Sequence, residues 1–133
     1  MEQLRKRIES CERALRTLEE ILGTPFSVIV RDAAIQRFEY SFESTWKLLK
    51  AYLKQQEGIV CNSPKRCFRE ALRVGLLSPE DVETCLAMTD DRNLTSHTYI
   101  EAIAEAIYEK LPVYLSVMQR VSSGVRSRTE ADD

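Results

Sequence analysis

Apolar side chains return along most of this chain at alternating steps of four and three, the spacing that gathers them on one face of an α-helix. Leu4, Ile8, Cys11, Leu15, Leu18 and Leu22 form a first stripe, which Gly23-Thr24-Pro25 ends. A second predicted helix runs from about Val28 to Glu57. It carries Ile35, Phe38, Phe42, Thr45, Leu49 and Tyr52 on its stripe, while Trp46, Leu48 and Leu53 widen that stripe as a central helix with several neighbours needs. Gly58 closes it. Asn62-Ser63-Pro64 and Ser78-Pro79-Glu80-Asp81 both place a capping hydroxyl before a proline suited to the first helical position. The first opens a short helix with Cys67, Phe68, Ala71 and Leu72, ended by Gly75; the second opens one with Val82, Cys85 and Leu86. A last long helix uses Ile100, Ile103, Ile107, Tyr114, Met118 and Val121, and Pro112 inside it is expected to kink or split it. From about Ser122 the period fades into polar residues. The pattern therefore predicts one domain over residues 1–121 and a flexible polar tail over 122–133. With no strand alternation and no internal repeat, the expected fold is all-α: an antiparallel up-and-down bundle of about five helices, two of them long and central.

Composition narrows the class. The 133 residues are 44 % hydrophobic and 30 % charged, with four Gly and four Pro, enough for a modest core in a single domain. A net charge of −2 gives no chain-wide basic footprint, so contact with RNA has to come from a local patch or a partner. Cys11, Cys61, Cys67 and Cys85 form no CxxC pair, and with a single histidine no zinc site is expected. Cys11, Cys67 and Cys85 fall at apolar helix positions, where reduced, buried thiols are expected. The N-terminus has no signal-peptide pattern and no run reaches the ~20 apolar residues of a membrane span. A cytoplasmic protein without a membrane association, metal or cofactor is the expectation.

One segment stands apart. Asp90-Asp91-Arg92-Asn93-Leu94-Thr95-Ser96-His97-Thr98-Tyr99 has eight polar or charged residues in ten, lies at a predicted helix junction and holds the only histidine. Thr98 with Glu101 fits a capping box, which would start the last helix just after His97. A helix N-terminus disfavours imidazolium and leaves the ring able to accept a proton, whereas Asp90 and Asp91 favour the charged form. Arg92 adds a permanent planar cation that can hold a phosphate through two hydrogen bonds. Arg and His without metal ligands suffice to cleave RNA, with His97 taking the 2′-hydroxyl proton and Arg92 stabilising the charge that develops on phosphorus. The other reading of the same residues is a solvated helix end with a packed or capping histidine. Five residues of unbroken helix turn through about 140°, so Arg92 and His97 converge only if the helix breaks between them or a second subunit supplies its own copy. The stretch Asn-Leu-Thr-Ser, poor in helix formers, permits the break.

The string Arg92-Asn-Leu-Thr-Ser-His97-Thr-Tyr99 resembles the R-x4-H-x-Y signature of the HEPN superfamily, and the chain resembles its nucleotidyltransferase substrate-binding, HepT-like branch. Ile35 to Tyr52 is similar to the family's long second helix, and Ser63 to Ala71 followed by Gly75-Leu76 to its third. The likeness spans roughly residues 4 to 120. It implies a helical bundle, a homodimer and a small MNT-type nucleotidyltransferase as partner. In the toxin branch it implies a metal-independent ribonuclease, with Arg92 and His97 matching the catalytic pair, Asn93 the polar residue after the arginine, and Tyr99 the tyrosine that accepts AMP from the partner. The alternative within the same resemblance is a non-catalytic subunit that presents a nucleotide or other substrate to the transferase. Least favoured is a plain dimerisation bundle.

Outside the motif, Glu43 and Lys47 stand four apart on the second helix in the order that favours a surface pair. With Arg37 and Ser44 they are candidates for the wall of a cleft beside the motif, or for an ordinary solvated face. Phe38, Phe42 and Trp46 follow the helical stripe and are expected in the core rather than as base-stacking platforms. Lys47, Lys50 and Lys54 form a mild basic line, suited to phosphates and equally to a wet helix face.

Overall fold

Each of the five expected helices forms, and the connections between them are short. The computed structural model describes residues 2–131, in which α1 is Glu2–Leu22, α2 Val28–Glu57, α3 Pro64–Arg73, α4 Pro79–Leu94 and α5 Glu101–Ala131; a 3₁₀ turn, Thr95–His97, lies between α4 and α5. The stops are those written in the sequence. Ser27 and Ser78 accept hydrogen bonds from the backbone N–H groups of Val30 (3.0 Å) and Asp81 (3.1 Å). Gly58 ends α2 in the left-handed region (φ 69°), its N–H returning to the carbonyl of Leu53.

The two longest helices, α2 and α5, pack against each other and both pack against α1, while α3 and α4 close the remaining side. One continuous core results. Leu4, Ile8 and Leu18 of α1 meet Phe38, Phe42 and Leu49 of α2 and Ile107, Met118 and Val121 of α5, all buried. Phe38 stacks on Tyr114 at 5.7 Å between ring centroids, and Phe42 meets Phe68 of α3 at 6.2 Å. Phe38 and Phe42 are core residues as expected; Trp46 is only partly covered.

Four expectations are corrected. Of the two outcomes expected at Pro112, a kink or a split, the split does not occur: α5 runs as a single helix on both sides of it. The flexible tail expected from Ser122 is helical to Ala131 and packed: Val125 is 0 % exposed, and Ser122 and Thr129 are buried beside it. The apolar stripe in fact continues at steps of four through Val117, Val121 and Val125, and small polar residues at the neighbouring buried positions hide it. Gly124 gives Leu76 room, whose Cδ1 lies 3.1 Å from where a Cβ would stand. Arg128 then donates to the carbonyl of Val74 (3.1 Å) and to the Tyr52 hydroxyl (3.3 Å), and Arg126 grips Glu12 with two bonds of 2.8 Å, so this end of α5 is tied to three other segments. Asp132 and Asp133, the last residues of the expected tail, lie outside the described residues.

Thirdly, Cys67 is not a free thiol: it is disulfide-bonded to Cys61, with the Cα atoms 5.5 Å apart, pinning the connection after α2 to the first turns of α3. Cys11 and Cys85 are free and buried as expected; burial pushes the Cys85 thiol up to about 12 and raises that of Cys11, so both are poor nucleophiles. Finally, the capping box does not form. Thr98 sits in helical backbone and its hydroxyl donates to the carbonyl of Thr95 (3.3 Å), while Glu101 faces Arg31 of α2. No helix among the described residues is long and apolar enough to cross a membrane.

Two outcomes follow from this packing. Val125→Ala should lower the unfolding free energy by about 2 kcal/mol, from two lost methyl groups and the space they leave, whereas Ser127→Ala on the exposed side should change it by less than about 0.5 kcal/mol; equal, negligible effects in chemical denaturation would contradict a packed C-terminal turn. A thiol count on the denatured, unreduced chain should find two reactive cysteines, and four after reduction; four before reduction would contradict the Cys61–Cys67 bond.

Candidate functional site

The break that the motif needs is present. Helix α4 ends at Leu94, and a buried Thr95 takes up the chain: its N–H bonds to the carbonyl of Arg92, and its hydroxyl both donates to that carbonyl (2.8 Å) and accepts from Arg92 Nη1 (3.0 Å). Threonine competes well for a helix's last carbonyl through its side chain, which favours ending the helix there. The 3₁₀ turn carries His97 outward, and the carbonyl of His97 accepts from the N–H of Ile100 (3.0 Å) as the chain swings into α5.

On one side of the break, Arg92 turns back across α2. Its guanidinium lies 3.5 Å from Glu39 Oε2 through Nη1 and 3.7 Å from Glu43 Oε1 through Nε, and that Nε is buried with no hydrogen-bond acceptor. Glu39 and Glu43, one helical turn apart, form a carboxylate face that holds the motif's cation. Glu43 is the busier of the two, since it also accepts from Trp46 Nε1 (3.1 Å) and faces Lys47 Nζ at 3.8 Å.

On the other side of the break are the exposed groups. His97 Nδ1 and the Tyr99 hydroxyl are 3.4 Å apart, their rings edge to face at 6.0 Å, and Tyr99 is 79 % exposed. Asn93 is exposed on the last turn of α4. The two aspartates preceding Arg92 are committed elsewhere. Asp90 pairs with Lys65 of α3 at 2.6 Å; Asp91 accepts from the Tyr114 hydroxyl at 2.5 Å and faces Lys110 at 3.4 Å. Burial, and then the Asp91 carboxylate, push the Tyr114 phenol well above its ordinary value, which keeps it a neutral donor. At the start of α5, the buried Arg31 guanidinium holds Glu101 below the usual carboxylate range and fixes the helix start against α2.

The structure thus brings together His97 with Tyr99, and Arg92 with Glu43 and, through Glu43, Lys47. It does not join Arg92 to His97, which share no hydrogen bond among the described residues. Arg37 is not beside the motif: its guanidinium donates to the carbonyl of Thr17 (2.7 Å), facing α1. Glu39 and Trp46 were not foreseen as neighbours of the motif. The four-residue spacing of Glu39 and Glu43 was a usable signal, but nothing local tells that α4 crosses above it.

Beside Glu43 opens a groove between α1 and α2. Its upper part is lined by Arg7, Trp46, Lys47, Lys50 and Lys54 among others and encloses about 700 Å³; an adjoining hollow of about 410 Å³ shares Arg7 and Lys47 and reaches Ser44 and Glu43.

The chain and its fold have known counterparts. The family model described as nucleotidyltransferase substrate binding protein like matches residues 6–127. The probable ribonuclease HepT of Haemophilus influenzae is 35 % identical over 103 residues, covering 74 % of this chain and 69 % of that one. A crystal structure of a Thermus thermophilus protein is 49 % identical with a TM-score of 0.85, covering 87 % of this chain and 98 % of that one. A Haemophilus influenzae structure described as the fold of a substrate binding domain of a nucleotidyltransferase is 28 % identical, with a TM-score of 0.76 over 90 % of this chain and 98 % of that one. A tri-AMPylated HEPN toxin of Shewanella oneidensis, in complex with MNT antitoxin, shares the fold at 14 % identity, with a TM-score of 0.76 over 93 % of this chain and 96 % of that one. With the family model spanning nearly the whole bundle, the chain belongs to the nucleotidyltransferase substrate-binding proteins of the HEPN/HepT-like group.

Proposed function

We propose that this chain is the HEPN component of a two-protein nucleotidyltransferase system, a metal-independent ribonuclease that its partner silences by transferring AMP to Tyr99. The observation that carries the reading is the exposed His97–Tyr99 couple at the helix break one turn beyond Arg92. In the reaction, His97 accepts the proton of an RNA 2′-hydroxyl as its oxygen attacks the adjacent phosphorus. The bond from phosphorus to the 5′-oxygen breaks, leaving a 2′,3′-cyclic phosphate and a 5′-hydroxyl that takes up a proton, while Arg92 stabilises the charge on the phosphoryl oxygens. Silencing is a transfer of the same kind: the Tyr99 oxygen attacks the α-phosphorus of ATP, pyrophosphate leaves, and the phenol proton is released. An adenylyl group 3.4 Å from His97 Nδ1 would add a phosphodiester charge and a bulky nucleoside beside the base. The Haemophilus relative named as a ribonuclease supports the first step, and the AMPylated Shewanella toxin with its MNT antitoxin supports the second.

A homodimer belongs to the same proposal. Phe26, Val28 and Ile29 at the start of α2, with Tyr99 and Ile100 before α5, leave apolar surface exposed at one end of the bundle, Ile29 to 82 %. Pairing there would cover it and set the motif of one protomer near that of the other. The ion pairs from Arg92 to Glu39 and Glu43 favour a second reading, a non-catalytic subunit in which that arginine only stiffens the bundle.

Purified without its partner and treated with EDTA, the protein should cleave RNA to cyclic-phosphate ends. His97→Ala should slow this by about 10²–10⁴-fold and Arg92→Ala by about 10²–10³-fold. A wild-type chain that leaves RNA intact decides for the binding subunit. After co-expression with the cognate transferase, intact-mass measurement should show AMP on the wild type and none on Tyr99→Phe; an unmodified wild type, or a modified Tyr99→Phe chain, would overturn the silencing step.

A further inference from the structure

The chain carries a net charge of −2, yet the groove between α1 and α2 gathers four cations, Arg7, Lys47, Lys50 and Lys54, with no carboxylate in its upper part. Their charges are weakly compensated. Arg7 and Lys54 have no ion pair among the described residues, Lys47 has Glu43 only at 3.8 Å, and Lys50 lies 5.8 Å from the ring centre of Trp46. Trp46 is half-buried, one part packed against the core, and it also lines the groove, with its indole N–H bonded to Glu43. From Lys47 to Lys54 the cations extend about 10 Å along α2, seven residues at ~1.5 Å each, further than one phosphate group reaches. Glu43, at the near end, also faces Arg92, so the groove and the motif share a residue.

We propose that this groove is a track for single-stranded RNA, in which Lys47, Lys50, Lys54 and Arg7 hold successive phosphates and a base stacks on Trp46 in place of Lys50. Base–aromatic stacking and a cationic channel together give sequence-tolerant binding of an unpaired strand, and a duplex cannot offer the open face of a base. The inference deepens the ribonuclease reading and rests on it for the strand's destination, the motif beyond Glu43; binding in the groove stands or falls by itself.

Trp46 is the only tryptophan, so intrinsic fluorescence reports on the groove directly. A mixed-sequence oligoribonucleotide of about ten nucleotides, titrated into the full-length His97→Ala chain, should quench that fluorescence, and a blunt duplex of the same length should not. With four phosphate contacts, the logarithm of the affinity should fall against the logarithm of salt with a slope of about −3. Adding Lys50→Glu and Lys54→Glu should weaken binding at least about tenfold at 0.1 M salt and roughly halve the slope, while Arg16→Glu, in the cleft between α1 and α5, should leave both within about twofold. Circular dichroism confirms that the variants are folded. Binding without quenching, binding unchanged by the lysine substitutions, equal binding of the duplex, or no binding overturns the track. Quenching and salt dependence as expected in a chain that does not cut RNA uphold the track and overturn only the proposed reaction. Cleavage by a wild type whose lysine variants bind and cut as well as it does overturns the track alone.

Discussion

Thr95 sets the geometry of the motif around it. A threonine in the interior of a helix can return its hydroxyl to a preceding carbonyl without consequence, as Thr45 and Thr89 do here by bonding four residues back. Thr95 bonds three residues back, through both its N–H and its hydroxyl, and is buried. The tighter turn ends α4, and the same oxygen takes a hydrogen bond from the guanidinium of Arg92. Arg92 is thereby held toward α2 while the chain rotates His97 and Tyr99 into solvent. The turn that ends the helix and the contact that orients the arginine meet at one residue, through its backbone N–H and its hydroxyl. The start of α5 is then fixed independently, by the buried Arg31 guanidinium on Glu101.

The helices were legible because their signals are local: a stripe of period 3.6, serine before proline, glycine at a left-handed stop. Residues that act across the fold were not. The tail differs from its expectation because Ser122 and Thr129 are polar by composition yet occupy buried positions of α5. Cys61 and Cys67 carry no spacing signature of a disulfide, and only the turn into α3 sets them within bonding distance. Thr98 and Glu101 satisfied a capping rule that lost to competitors on either side, the Thr95 carbonyl for one and the Arg31 charge for the other. Within the site, His97, Tyr99 and Arg92 were named from the motif alone. Glu39 was missed, because its role exists only where α4 crosses α2.

Charge shows the same division between total and place. A net −2 argues against a nucleic-acid footprint, and for most of the surface it is the right guide: Arg120 is paired with Asp81, Arg126 with Glu12 and Glu130, and Lys65 with Asp90. Along the α1–α2 groove, positions 47, 50 and 54 of α2 and 7 of α1 are basic and the one ion pair they make among the described residues is the long contact of Lys47 with Glu43 at 3.8 Å, so a positive potential survives there that the sum conceals.

Arg92 and His97 pose the remaining structural demand. A break in the helix was one way to unite them; the break is present, and the two side chains still face apart, one to carboxylates and one to solvent. A ribonuclease built on this chain therefore needs a second change. An incoming phosphate can compete with Glu39 and Glu43 for the guanidinium, because their contacts at 3.5 and 3.7 Å lie beyond good charge-assisted hydrogen bonds and Nε has no acceptor to lose. In the proposed homodimer, a second protomer on the apolar end of the bundle would be another route, in which the histidine of one motif would have to come to the arginine of the other. The two are compatible, and both place the same requirement on the protein. The arginine must be held well enough to be poised, and loosely enough to change partners when phosphate arrives.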